Sequence, residues 1–399
     1  MNRFVFNLTH WCFDYDEYLD EYKFLDSGSF VNRLEKFNEY VRKNYPGIVE
    51  RGYTDRETLK GFFFSFPKSK KVQEVRTSGS SGKPFHFWVD SRAMASRFAL
   101  VDYRFRQIGY KKGDSFVRFW YPTTGHTKIQ LLKEKLWRIV NREHFISYFD
   151  MVSGKKKMID YVRFIQKHKP KLIEGYAGGL IAMAEFILEH GIKMPKVEWI
   201  VTGAGMVNQK HKKMIEEAFN CSVYDRYGCS EFGEIAHQLP GIDYYESNPY
   251  LEIFVATDKK MYKLHEAPDG EYGIFVTDPR NYATPFWRYR MGDIVKVENG
   301  KIIAIKGRAE ETMRLPNGDY LPTGFFYQFF KDSAWVDRWQ IIYDPAEKEL
   351  IVKTSPYYLE ENLRNVLERQ YFRGIKVKYQ IGNFETTGRR KKIQEIIIR

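Results

Sequence analysis

Short apolar runs at 115–121, 172–176, 197–202 and 222–227 read as buried strands. The stretches between them have helical spacing. Met158, Ile159, Val162 and Ile165 share one face of a helix over 157–168, which Pro170 ends. Further helices are expected over 180–190, closed by Gly191, and over 209–219. This alternation predicts an α/β protein with a largely parallel, helix-covered sheet. Upstream, 31–41 has helical spacing, 72–76 and 85–89 read as strands, and 93–107 as a helix. Downstream the period changes. Strands at 251–257 and 273–277 look antiparallel, and Asn299-Gly300 between Val295, Val297 and Ile302, Ile303, Ile305 is a hairpin signal. Beyond 308, a second hairpin (339–343 and 350–354), a helix (359–371) and strands at 376–381 and 393–398 form a small α+β unit. The expected organisation is a large mixed-sheet domain over 1–307 and a C-terminal domain over 308–399.

Composition narrows the class. The 399 residues are 43% hydrophobic and 17% aromatic, enough for a large core. No run of 18 apolar residues occurs, so no spanning helix is expected. The N-terminus soon meets Asp14, Asp16 and Glu17 and lacks the pattern of a secretory signal. Cys12, Cys221 and Cys229 do not make a disulfide framework, and together these features point to a cytoplasmic protein. The net charge of +13 favours anionic partners such as nucleotides, coenzyme A, nucleic acid or anionic membrane. The aromatic residues fall mostly in core strands, so nucleic acid is not the expected partner.

Three segments carry candidate chemistry. Thr77, Ser78, Gly79, Ser80, Ser81, Gly82, Lys83 and Pro84 combine hydroxyls, glycines and one cation between two strands. Backbone N–H groups and hydroxyls of such a loop can cradle phosphate oxygens, with Lys83 adding charge. The loop is not a Walker A motif, which needs Gly at Thr77, Ser or Thr at Pro84 and a following helix; its plain alternative is a flexible turn. The strand containing Trp120 runs into a turn-rich segment ending at His126, and strand ends are where α/β folds place ligands. His126 is either a substrate contact or a structural histidine. Tyr227, Gly228, Cys229, Ser230 and Glu231 place an aromatic, a hydroxyl and a carboxylate at another strand end. These suit a base, a phosphate and Mg²⁺ respectively. Asp293 suits a pair of ribose hydroxyls, or else simply starts a strand.

Taken in order, these motifs resemble the AMP-forming adenylate-forming superfamily, and within it the phenylacetate–CoA ligase and coenzyme F390 synthetase (CapK-like) branch. The matching segments are 77–84, Gly175-Tyr176, Gly203-Ala204-Gly205, 227–231, 288–293 and 307–311. The resemblance implies ATP, Mg²⁺ and a carboxylic acid that becomes an acyl-adenylate with release of pyrophosphate. The acyl group then passes to coenzyme A, or to an amine, hydroxyl or carrier protein; a degenerate, non-catalytic nucleotide binder is the third reading. By resemblance, Tyr227 stacks on adenine, Ser230 touches the α-phosphate, Glu231 binds Mg²⁺, Asp293 holds the ribose and Arg308 reaches ribose or phosphate. Tyr176, Ala204 and the segment from Trp120 to His126 border the acid, and residues 308–399 form a mobile lid. The sequence departs from the family at three points. Arg389 follows Gly388 where the family has its catalytic lysine, leaving Arg389, Lys391 or Lys392 for that task. Met291 replaces a threonine, and Gly205 a glutamate. Cys229 and His237 lack neighbouring ligands in sequence, so no zinc is expected. A homodimer is left open.

Overall fold

The computed structural model describes residues 15–27, 30–60, 72–76, 85–111, 113–120, 128–148, 158–205, 207, 209–257, 259–308, 312–314, 320–322, 336–344, 346–356, 361–368, 372, 374–383, 386–387, 392–393 and 396–398. The Gly/Ser loop 77–83, His126, Arg389 and Lys391 lie outside the described residues. The strands flanking that loop are β1 (Val72–Arg76) and β2 (His86–Asp90). They pair antiparallel with Arg76 opposite His86, so the loop connects two strands as its composition implies.

The central sheet has twelve strands: β3 (Phe116–Trp120), β4 (Glu143–Ser147), β5 (Leu172–Tyr176), β6 (Trp199–Gly203), β7 (Ser222–Cys229), β8 (Gly233–Gln238), β9 (Tyr245–Ser247), β10 (Glu252–Ala256), β11 (Met261–Lys263), β12 (Gly270–Thr277), β13 (Tyr289–Glu298) and β14 (Lys301–Arg308). Their order is β11-β10-β12-β13-β14-β9-β8-β7-β6-β5-β3-β4. From β4 to β7 every pairing is parallel, and from β7 to β11 every pairing is antiparallel. Strand β7 is therefore the pivot between two kinds of sheet, and the protein is α/β with a large mixed sheet.

Each half follows from its sequence texture. In the parallel half, helices Met158–His168, Ala177–Glu189 and Gln209–Phe219 cross between strands. Val162, Ile165, Leu180, Met183, Ile187, Ile215 and Phe219 pack with Val117, Phe119, Ile173, Ile200 and Val223. In the antiparallel half, Val295, Val297 and Ile302 pack with Ile274, Val276 and Val255. The β13–β14 hairpin turns through Asn299 (φ 50°) and Gly300 (φ 68°). Two successive positive φ angles are what a two-residue primed turn demands.

The sequence reading missed β4, β8, β9, β11 and, among the helices, Tyr15–Ser27 and Lys128–Val140. It also began one helix at 180, whereas the helix starts directly after β5 at Ala177. Downstream of β14, strands 376–381, 349–356, 336–344 and 396–398 form a separate four-stranded sheet in that order.

Candidate active site

The parallel strands present their C-terminal ends together. Strand β5 ends at Tyr176, opposite Gly203 at the end of β6, and Thr202 lies opposite Asp225 on β7. Trp120 at the end of β3 meets Tyr176 at 4.4 Å between ring centroids. Tyr148 stacks on Tyr176 from beyond β4, 5.0 Å away and nearly coplanar. Ala204 (φ 54°) turns the chain out of β6, and Ala204 and Gly205 are exposed. Trp120, Tyr176, Gly203, Ala204 and Gly205 thus gather along the C-terminal edge of the parallel strands, the side on which open α/β sheets bind ligands.

Strand β7 carries the next set. The pairing of β7 with β8 shifts register between Tyr227 and Gly228. A Cβ on Gly228 would stand 2.2 Å from the Gly233 carbonyl oxygen, so only glycine fits. The bulge holds Tyr227 half-buried, and its phenol donates to Asp293 Oδ2 at 2.5 Å across 66 residues. Asp293 in turn lies opposite Arg308 in the β13–β14 register. Three segments distant in sequence therefore meet: the Tyr227 motif, the Asp293 segment and the backbone of Arg308.

The turn after β7 is held from the loop side. Asp90 ends β2 and caps the helix Ser91–Gln107 by accepting from the Ala93 N–H at 2.9 Å. Arg97 on that helix donates to the carbonyls of Ser230, at 3.2 Å, and Glu231. Phe87 of β2 packs edge-on against Phe286, which packs on Phe232, the residue after Glu231. The element leaving the Gly/Ser loop thus braces the Ser230–Glu231 turn. Ser230 is exposed and Glu231 is 8% exposed. Arg97 was not foreseen, because a lone arginine in a helix carries no sequence signal of the turn it will meet.

A second unforeseen feature lies under the strand ends. Glu174 on β5 is 1% exposed and is shared by Arg226 on β7, at 2.5 Å, and Arg118 on β3, at 3.3 Å. Burial alone would raise the Glu174 pKa, but the two guanidiniums hold it below the usual glutamate range. Arg226 also lies over the Trp120 ring at 5.6 Å. A charged residue inside the run Leu172-Ile173-Glu174-Gly175 was the available sign, since isolated carboxylates are not buried without partners. Its neighbour Asp225 behaves oppositely. Burial raises its pKa, although Thr202 and Tyr245 each donate to it at 2.6 Å.

Met291, the residue standing in place of a threonine, is buried in the antiparallel core. Cys229 and His237 both belong to the β7–β8 pair. Burial raises the Cys229 thiol and lowers the fully buried His237. Among the described residues, no group of three or more His, Cys, Asp or Glu is arranged to hold a metal. One carboxylate suffices for Mg²⁺ carried on a triphosphate, because phosphate oxygens and water complete its shell. Glu231, braced beside Arg97 at the mouth of β7, fits that demand.

No family model matches the chain. Among solved structures it is similar to 2-hydroxyisobutyryl-CoA ligase in an open conformation with 2-HIB-AMP and CoA. That alignment has a TM-score of 0.54 at 13% identity and covers 92% of this chain and 90% of the other. The same ligase in its thioesterification state aligns with a TM-score of 0.53 at 16% identity, covering 87% and 79%. The chain therefore has the fold of the AMP-forming adenylate-forming ligases. Among curated proteins it is similar to Protein CapK of Staphylococcus aureus, with 27% identity over 294 residues. That match covers 67% of this chain and 62% of CapK, less than two thirds of the relative's length. No helix among the described residues is long and apolar enough to cross a membrane.

Proposed function

We propose that the protein activates a carboxylic acid with ATP and passes the acyl group to coenzyme A. A carboxylate oxygen attacks the α-phosphorus, the bond to the bridging oxygen breaks, and pyrophosphate leaves with the electron pair. The thiol of coenzyme A then displaces AMP from the acyl carbon. The observation that carries this reading is the Tyr227–Asp293 contact at the mouth of β7, within a fold shared with adenylating ligases. It supports an adenosine site: a phenol to lie against the base and a carboxylate to accept from the ribose hydroxyls.

In this reading Ser230 donates to the α-phosphate, and Lys83 with Thr77, Ser78, Gly79, Ser80, Ser81 and Gly82 holds the outer phosphates. Glu231 holds Mg²⁺, which when bound neutralises charge on the phosphates. Both reactants are anionic, so catalysis consists of positioning them and compensating the charge that develops. Arg389 or Lys391 supplies the last cation when residues 308–399 close, and the same unit turns for thiol transfer. Trp120, Tyr176 and His126 border the acid.

Pyrophosphate exchange with a panel of acids tests the first half-reaction; no exchange with any acid and no ATP binding would overturn it. Mass spectrometry of products with and without coenzyme A tests the acceptor. A product formed only with an amine, hydroxyl or carrier protein would move the second step and leave the first intact.

A further inference from the structure

We infer that Arg226 selects acids bearing a second anionic group, so that the preferred substrate is a dianion with one carboxylate to activate and another acidic group to be held. This rests on the adenylation reading above and narrows its substrate class.

Arg226 sits at the strand edge where Trp120, Tyr176 and Gly203 meet. Its Nη1 faces Glu174 Oε1 at 2.5 Å. Its opposite edge is turned the other way: Nε and Nη2 both lie 3.7 Å from where a Gly203 Cβ would stand. Among the described residues none accepts from either nitrogen, and the side chain is 18% exposed. Glu174 cannot neutralise Arg226 alone, because Arg118 draws on the same carboxylate. The other nearby carboxylate, Glu143, pairs with Arg118 and Arg138 and not with Arg226. Asp225, next in the chain, turns to Thr202 and Tyr245, and burial biases it toward its neutral form.

Glu174 holds Nη1 and the Trp120 ring lies against the guanidinium, leaving Nε and Nη2 as two parallel donors beside Gly203 at the end of β6. Two parallel N–H donors match the oxygens of a carboxylate, sulfonate or phosphate. The aromatic walls accept the carbon chain between the two acidic ends. A monoanionic acid of equal length would leave the donors unmatched, and sites built around a polar group discriminate strongly against analogues lacking it.

The test uses the full chain in pyrophosphate exchange with MgATP. Its probes are linear dicarboxylic acids of four to eight carbons beside monocarboxylic acids of the same lengths. The expected result is a kcat/KM at least tenfold higher for one dicarboxylic acid than for its monocarboxylic partner. Arg226→Met should remove that preference, and Arg226→Lys should keep part of it. Glu174→Gln combined with Arg226→Met removes both partners of the pair, and should equally lose the preference if the single variant fails to fold. A merely structural Arg226 would lower stability without moving the ratio, and that outcome overturns the inference. Exchange that favours monocarboxylic acids at every length also overturns it and leaves the adenylation reading standing. Absence of exchange with every acid overturns both.

Discussion

Two buried carboxylates in different parts of the molecule, Glu174 on β5 of the central sheet and Asp90 at the end of β2, are held in opposite ways. In the parallel half, Glu174 is fully enclosed and held ionised by Arg118 and Arg226. At the end of β2, in the separate two-stranded sheet, Asp90 accepts from the backbone N–H groups of Ala93 and Tyr282, yet burial and the Asp278 charge push its carboxyl up to about 6. Both carboxylates have hydrogen-bonding or charged partners, so partners alone do not set protonation. What differs is that Glu174 faces two cations directly, whereas Asp90 receives neutral backbone donors and the Asp278 charge outweighs that of Arg280. The lesson concerns placement. Glu174, between two guanidiniums on the central sheet, keeps a fixed charge, whereas Asp90, at the end of β2 and among neutral donors, keeps a carboxyl raised to about 6.

The largest expected break of this contrast is Glu174→Gln. It leaves two guanidiniums without their shared carboxylate, and removing one partner of a buried ion pair costs about 3–5 kcal/mol. Urea unfolding should reveal the loss at pH 7. The wild-type contribution of Glu174 is present above the ordinary glutamate pKa and fades as pH falls through its lower folded value, because the folded state resists protonation. Little difference between the two proteins at pH 7 would mean the network is not held as described.

Asp90 predicts the opposite slope. Its folded pKa of about 6 lies above the ordinary aspartate value, so its contribution to stability is present at low pH and is lost as pH rises through about 6. At full size this amounts to roughly 3 kcal/mol between about pH 4 and pH 7, because each tenfold change in proton affinity is worth about 1.4 kcal/mol. Asp90→Asn keeps an oxygen for the Ala93 cap and cannot ionise. Its stability should fall less than that of the wild type over the same window, measured by thermal unfolding at successive pH values. Parallel curves for the two proteins would remove Asp90 from the account.

These two carboxylates also mark the limit of what was legible in the sequence. The strand–helix alternation, the Asn299-Gly300 hairpin and the motifs around Tyr227 and Asp293 could be read because each is local: periodicity, turn chemistry and short spacing. The convergence of Tyr227 with Asp293 follows from a motif order that the fold brings together. Glu174, Arg226, Arg118 and Arg97 were not assigned roles, because their partners lie on other strands and helices. Nothing in a run such as Leu172-Ile173-Glu174-Gly175 says which cations will face it. Strands β8 and β9 were missed for a related reason: β9 is only three residues long, and β8 places Glu234 and His237 among its buried residues, which hides any clean alternation.

The join between the halves offers the next break. Gly228→Ala drives a methyl group into the Gly233 carbonyl, and because the neighbouring atoms are backbone of Gly233 and Glu234, they leave little room to yield. Such overpacking costs about 1–3 kcal/mol. Because the bulge aims Tyr227, nucleotide binding should weaken along with stability. A variant as stable as the wild type, with unchanged nucleotide affinity, would mean that the bulge does not position the site.

The mildest change sharpens the comparison most, because it touches binding and spares the fold. Tyr227→Phe keeps the ring and removes only the hydroxyl that donates to Asp293, so stability should fall by about 1.5 kcal/mol, the low end for a hydrogen bond to a charged group. Asp293→Asn leaves a weaker, neutral acceptor for ribose hydroxyls. If the pair forms the adenosine site, Asp293→Asn weakens ATP binding by about tenfold, near the 1.5–3 kcal/mol carried by hydrogen bonds to charged groups. Tyr227→Phe should weaken it less, since the ring surface for the base remains. Calorimetric titration of the three proteins with ATP separates the cases. Equal affinity in all three would place the nucleotide elsewhere and leave the Tyr227–Asp293 contact a structural tie between β7 and β13.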